Sequence, residues 1–348
     1  MKMRNWLMLL ALAALLILGA CSKSSGSESD SSGSADFPTM KITFSHNQPL
    51  ESPEHAGAAK FKEIVEEGSG GKITVDVYPA SQLGSLREQV ESTQMGEIDI
   101  TMQPTAVVTP FVDDVKIGDL PYLWPAEADK MYEVLDSEVG DEILTTLDQG
   151  GFKGLGFWPG GYKLMTTKNT AIKSPADMKG LTMRVMESPL LIEQYKVWGA
   201  TAIPVPYAEV YNSLQQGIVD GQENPLQTVF LNNYHEVQKN VIETFHGSMT
   251  YLLMANKGWF DGLAPNVQEL IQKADEEGKK EARQVLKEKE DDYRQQIIDS
   301  GVEYYKLTDD EIAAFHELSE PFWDEIYNTA EQKELLKKVK EKISQVSK

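Results

Sequence analysis

Between Lys41 and Gln103 the chain alternates strand-like and helix-like segments, and this order restricts the fold more than any other feature. A strand-like run, KITFSHN (Lys41 to Asn47), precedes HAGAAKFKEIVEEGSGG, in which Ala58, Phe61, Ile64 and Val65 recur at helical spacing. Gly68, Gly70 and Gly71 predict the end of that helix. The alternating, β-branched KITVDVYP follows and stops at Pro79. A second helix, LREQVESTQMG, then leads to the strand IDITMQ. Parallel neighbours need a crossover between them, so a β-α-β-α-β order predicts a mainly parallel sheet with helices on its faces.

A comparable pattern recurs downstream. GFKGLGFW and YKLMTT read as two strands, LTMRVM as a strand and SPLLIEQYKVWG as a helix. TAIPVP reads as a strand, YAEVYNSLQQG as a helix and DGQENP as a turn. From Asn266 onward the chain is largely helical and charged, with apolar Val267, Leu270, Ile271 and Ala274. Two α/β halves with a helical tail predict two lobes around a cleft, and a length of 348 residues agrees with two domains. Open α/β sheets bind ligands outside the carboxyl ends of their strands. That directs attention to His46 and Asn47, Gln103 to Thr105, Trp158 to Lys163, Arg184, and Pro206 with Tyr207.

The first twenty residues read as an address rather than as part of the fold. Lys2 and Arg4 precede an apolar run from Trp6 to Ala20, too short at helical rise for a stable membrane span and suited to a signal peptide. Leu18-Gly19-Ala20-Cys21 resembles a bacterial lipobox, which implies lipidation of Cys21, the single cysteine. The alternative is an ordinary signal peptide with an incidental cysteine. Residues 22–36, SKSSGSESDSSGSAD, bury nothing and read as a leash, so 21–38 is expected to be a linker.

Charge narrows the partners. With 54 acidic against 33 basic residues and a formal charge of −21, the chain lacks the basic face that nucleic acid requires. GxSxG, GxxxxGK[ST] and HExxH motifs are all absent from the sequence. His235-Glu236 has no second histidine ligand, and Pro159 stands where a dinucleotide loop beginning at Gly154 would end in glycine. The five histidines (46, 55, 235, 246 and 316) are dispersed without ligand spacing, so no metal site and no cofactor are expected.

The segment from Ser174 to Asn224, SPADMKGLTMRVMESPLLIEQYKVWGATAIPVPYAEVYNSLQQGIVDGQEN, closely resembles the substrate-binding proteins of tripartite ATP-independent periplasmic (TRAP) transporters, the DctP-like family. YPASQLG at 78–84, GEIDI at 96–100, DLPYLW at 119–124 and EVQKN at 236–240 agree in order, so the resemblance spans roughly residues 40–320. It implies a type II periplasmic-binding-protein-like fold: two α/β lobes joined by hinge strands, with a long C-terminal helix crossing both. Residues 39–161 and 251–289 would form lobe I, and 162–250 and 290–348 lobe II.

The family carries organic acids, and the resemblance implies that Arg184 clamps the ligand carboxylate. A guanidinium suits that task, since its parallel N–H donors match both carboxylate oxygens. Asn224 would hydrogen-bond the same carboxylate, and Tyr207 would line the pocket. Trp158 is a candidate for the pocket wall. Glu209 is expected to support the local architecture rather than touch ligand. Lys163 sits at or next to a position where many relatives carry arginine, so a second anionic group would be held by a point charge or not at all. Gln103, Thr105, His46 and Asn47 lie where relatives present polar contacts.

The implied partners are a small organic acid and the small and large integral membrane subunits of the transporter. The chain would be an exported monomer, lipid-anchored at the outer face of the cytoplasmic membrane or periplasmic. Two readings compete with a non-enzymatic binding protein. One is an exported enzyme acting on acidic sugars, the other a ligand-sensing subunit of a membrane kinase.

Overall fold

A computed structural model describes residues 37–347. The signal segment, Cys21 and nearly all of the expected linker lie outside the described residues. Among the described residues, no helix is long and apolar enough to cross a membrane.

Strand β1 (Met40–His46) is flanked in parallel by β2 (Ile73–Tyr78) and β3 (Ile100–Pro104), with α1 (Pro53–Gly68) and α2 (Leu86–Met95) as the crossovers. Helix α1 starts where Ser52 accepts a bond from the His55 amide and Pro53 occupies the first turn. It buries Ala58, Phe61 and Val65. Helix α2 opens with a Ser85–Glu88 capping box and ends at Gly96, whose φ of 83° is left-handed. Five short helical pieces follow: α3 (Thr105–Val108), a 3-10 segment Asp113–Asp119, α4 (Ala128–Leu135), α5 (Glu138–Thr146) and a 3-10 segment Leu147–Gly150.

Strand β4 (Phe152–Thr167) joins the two halves of the sheet. GFKGLGFW and YKLMTT, which read as separate strands, form this one strand of 16 residues. Its pairing with antiparallel β9 (Ser248–Asn256) shifts register between Pro159 and Tyr162, where Gly161 takes a φ of 87°. Glycines that suggest a break in the sequence here build a bulge within a continuous strand. Beyond the bulge, β4 pairs with β7 (Gly221–Pro225), which in turn lies parallel to β5 (Thr182–Val185), followed by β6 (Thr201–Pro204). DGQENP is therefore mostly an interior strand and not a turn. Hydrogen bonding of its polar side chains, described below, compensates for its poor strand composition. The order is β2-β1-β3-β9-β4-β7-β5-β6, parallel in both wings and antiparallel at the centre, with β8 (Asn240–Glu243) on β4 and β10 (Glu303–Lys306) on β8.

The second wing is covered by α6 (Pro189–Val197), α7 (Val210–Gln216), α8 (Leu226–Leu231) and α9 (Tyr234–Val237). One face, with Met165, Met183 and Val185, belongs to the main core. The other meets a second core containing Leu164, Val210, Leu214 and Tyr234. After α10 (Lys257–Asp261), helix α11 (Pro265–Asp299) runs for 35 residues, about 52 Å at 1.5 Å per residue. It packs on α1 and β4 and also on α8, so it crosses both halves. Close approach to α1 depends on glycine: a Cβ on Gly57 would stand 2.6 Å from both the Gly278 carbonyl and the Trp158 ring.

Helix α12 (Asp309–Ile326) lies on α6, whereas α13 (Ala330–Val346) lies on α4 and α5. The segment 290–348, expected as part of lobe II, thus divides. Leu335, Leu336 and Val339 of α13 are buried, and Gln332 donates to Asp113 at 2.7 Å and to Asp114 at 2.9 Å.

Candidate ligand-binding site

Strand register sorts the polar residues of the second wing into two sets. Arg184 on β5 pairs with Gln222 on β7, and on β4 Thr166 pairs with Gln222 and Leu164 with Asn224. Alternate residues share a face, so Arg184, Gln222, Asn224 and Thr166 lie together, with Lys163 and Glu223 on the opposite side. Hydrogen bonds agree: Asn224 Nδ2 donates to Gln222 Oε1 at 2.5 Å, and Gln222 Nε2 donates to Thr166 Oγ1 at 3.1 Å.

Arg184 is 2% exposed. Its Nε and Nη2 donate to the Val205 carbonyl at 3.0 and 2.8 Å, which fixes the plane of the guanidinium against a neutral acceptor. Those bonds occupy two of the five N–H donors and leave three for another acceptor. Burial pushes its pKa down, offset in part by the phenols of Tyr234 and Tyr207 and by nearby carboxylates. The guanidinium lines a cavity of about 10 Å³, on the order of one water, with Ser85, Leu86 and Val107 opposite Val205, Pro206 and Tyr207.

Lys163 has a different setting. Its Nζ lies 3.0 Å from Asp119 Oδ1 and 3.2 Å from Glu223 Oε1, and all three side chains are buried. Glu223 also takes bonds from Tyr195 OH at 3.0 Å and His246 Nε2 at 2.8 Å, while Thr105 Oγ1 donates to Asp119 Oδ2 at 2.5 Å. Burial alone would raise the Glu223 carboxyl, but the Lys163 charge and the His246 bond outweigh it and hold the group below the ordinary range. Burial likewise opposes the Lys163 charge, and the two carboxylates more than restore it. Lys163 and Thr105, expected as ligand contacts, are both committed to this network.

At the carboxyl end of β1, His46 Nε2 meets His55 Nδ1 at 3.1 Å. Burial and the His55 charge push the His46 pKa down to about 3, so the ring is neutral. Gln48 Nε2 donates to Tyr251 OH at 2.5 Å, and Tyr207 OH reaches Gln48 Oε1 at 3.5 Å, a contact between the two halves of the sheet. Asn232 Nδ2 donates to Tyr207 OH at 2.8 Å. A second such contact joins α1 to α8, where Gln227 Nε2 donates to Glu54 Oε1 at 3.2 Å and to the Gly160 carbonyl at the β4 bulge. Glu54 is fully buried, and burial raises its carboxyl to about 7.

This arrangement, a buried cation on a neutral carbonyl at a small cavity lined by residues of both α/β halves, fits capture of a small anion between them. A sequence model of bacterial extracellular solute-binding protein, family 7 (DctP), matches residues 44–330. The chain belongs to this family. It is 36% identical over 287 residues to the C4-dicarboxylate-binding periplasmic protein DctP of Rhodobacter capsulatus, covering 82% of this chain and 86% of the relative. Among solved structures, a TRAP periplasmic solute-binding protein from Desulfovibrio salexigens with bound orotic acid superposes with a TM-score of 0.84 at 32% identity, covering 88% of this chain and 99% of the other. One from Anaerococcus prevotii with bound D-glucuronate also gives 0.84, at 28% identity and the same coverage.

Four other residues singled out in the sequence have different settings in this solute-binding fold. Trp158 is a core residue, not a pocket wall: its indole donates to Asp275 at 2.7 Å and packs edge-on against Phe44. Gln103 donates to Gln89 at 3.1 Å and Thr101 at 2.9 Å, beneath α2. Glu209 is exposed at the start of α7. Asn47 is buried, with an Oδ1 that has no partner among the described residues. Sequence reasoning missed Glu54, Gln227, Asp119 and Glu223. Glu223 stands inside the GQENP motif, which offered a signal; Glu54 reads simply as a residue of a helix first turn.

Proposed function

We propose that the chain is the solute-capturing component of a TRAP transporter, binding an organic acid through its carboxylate at Arg184. The observation that carries this reading is the buried guanidinium oriented by the Val205 carbonyl with donors left over. Asn224, on the same face of the sheet, adds an uncharged donor, and Tyr207 forms one wall.

Residues 39–161 with 251–289 would move as one lobe and most of the remainder as the other, with α13 staying with the first. Ligand reaching both lobes only when they meet would favour the closed population. Tyr207–Gln48 and Gln227–Glu54 are suited to close behind it. The protein would act without turnover, delivering its cargo to small and large membrane subunits. It would be tethered outside the cell membrane through lipid on Cys21, as a monomer.

The test is a thermal-shift screen of the purified protein with dicarboxylates, aldonates, uronates, 2-keto acids and sialic acid, followed by calorimetry on the best hit. Arg184→Ala is expected to weaken that hit at least 100-fold, since a charge-assisted bidentate pair is lost. Undiminished affinity in Arg184→Ala would overturn the assignment, and turnover of the hit would favour an enzyme.

A further inference from the structure

Arg184 shares its cavity with a carboxylate from the end of its own strand. Glu187 follows it by three residues, just past β5, and both line the same space of about 10 Å³. Apart from this pair, the lining consists of Ser85, Tyr207 and apolar side chains such as Leu86, Val107 and Met186. Glu187 is half-buried, and among the described residues its side chain has no hydrogen bond and no ion pair. Burial opposes the Arg184 charge, and Glu187 is one of the groups whose field restores part of it. Walls of low polarity strengthen the field of both charges. A ligand lodged at Arg184 therefore meets a cation with donors in reserve and a carboxylate without a donor of its own.

A second anionic group would find little to hold it. Lys163, the other buried cation of this wing among the described residues, is enclosed by Asp119 and Glu223 and lies on the opposite face of the sheet from Arg184 and Asn224. Across the cavity, the start of α2 is already closed. The Ser85 amide donates to Glu88 Oε2 at 2.7 Å, and the Glu88 amide to Ser85 Oγ at 3.3 Å. That capping box occupies amides that would otherwise attract an anion, and it brings a further negative charge to the rim. A ligand carboxylate near Glu187 would be desolvated beside a like charge. An N–H or O–H group there would instead supply the donor that Glu187 lacks.

We infer that Glu187 is a specificity-determining residue, a charge filter that rejects dianionic cargo and accepts an N–H or O–H donor beside the carboxylate held by Arg184. This rests on the carboxylate-binding reading above. Two features carry it: Glu187 lines the Arg184 cavity without a partner, and neither Lys163 nor the α2 terminus has a charge or amide to spare for a second anion.

The experiment is calorimetric titration of the purified protein, Glu187→Gln, Glu187→Asp and Arg184→Ala with two pairs of acids that differ by one charge, succinamate with succinate and D-gluconate with D-glucarate. The parent is expected to bind the monoanion of at least one pair about 10-fold or more tightly than its dianion, since like charges brought together in an enclosed site repel. Glu187→Gln keeps the size and removes the charge, so the ratio of dianion to monoanion affinity should rise about 10-fold. A merely structural role would weaken both members of a pair together and leave that ratio unchanged. Glu187→Asp keeps the charge and should keep the preference for the monoanion. Tighter binding of the dianion by the parent, a ratio untouched in Glu187→Gln, or a preference lost as completely in Glu187→Asp overturns the inference. Carboxylate binding itself stands in those cases if Arg184→Ala still abolishes it. Failure of all four acids to bind, or binding indifferent to Arg184→Ala, overturns the carboxylate-binding reading and this inference with it.

Discussion

Arg184 and Lys163 are cations of similar burial on strands of the same sheet, yet they do opposite things. Lys163 sits between Asp119 and Glu223, with Tyr195, His246 and Thr105 completing the bonds around those carboxylates. Its charge is spent on joining the 3-10 segment before β4 to β7. Arg184 rests on one backbone carbonyl and keeps donors in reserve. A buried charge keeps donors available for a further acceptor only where its neighbours do not neutralise it. Removing either should therefore damage different properties.

The largest expected effect is on stability. Lys163→Met would strand two buried carboxylates, and losing one partner of a buried ion pair costs about 3–5 kcal/mol. Chemical denaturation would measure it, and a variant as stable as the parent would break the comparison. Arg184→Ala, by contrast, should lose ligand while unfolding near the parent midpoint.

Glu54 sharpens the contrast through pH. Its carboxyl stands at about 7 in the folded chain against an ordinary 4.5, and Tyr132, Tyr207, Tyr251 and Tyr293, the titratable groups it acts on, stay neutral there. Below about pH 4.5 folded and unfolded chains both hold the proton. Between there and 7 the unfolded chain releases it first, so this group costs stability as pH rises, by at most about 3 kcal/mol. Glu54→Gln should therefore gain on the parent from pH 4.5 to 8 in melting experiments. Glu223, held below the ordinary range, acts with the opposite sign and costs stability only as the pH falls into the acid range. The smallest effect is expected at exposed Glu209: Glu209→Ala should change stability and affinity by less than about 0.5 kcal/mol.

Much of this was legible in the residues. β1, α1, β2, α2 and β3 follow from periodicity and punctuation, because local crossovers impose the pattern that their packing requires. DGQENP was not legible. Gly, Asn and Pro favour turns, and only the ladders from β4 and β5, with the Asn224–Gln222–Thr166 bonds, make this segment an interior strand. Strand β9, SMTYLLMAN, is buried along nearly all its length and shows no alternation to detect. Trp158 misled for a similar reason: a large aromatic near a strand junction suits a pocket or a core, and the Gly57–Gly278 approach decides for the core.

The sequence by itself determined the family and the positions of Arg184 and Asn224, because those depend on motif and strand period. Only the tertiary structure decided which charges were free. Pairing of Lys163 with Asp119 and Glu223 joins residues 44 and 60 positions apart, and the buried carboxyl of Glu54 meets Gln227, 173 positions away. Charge type is local information, but neutralisation depends on distance in space, which the order of residues does not carry.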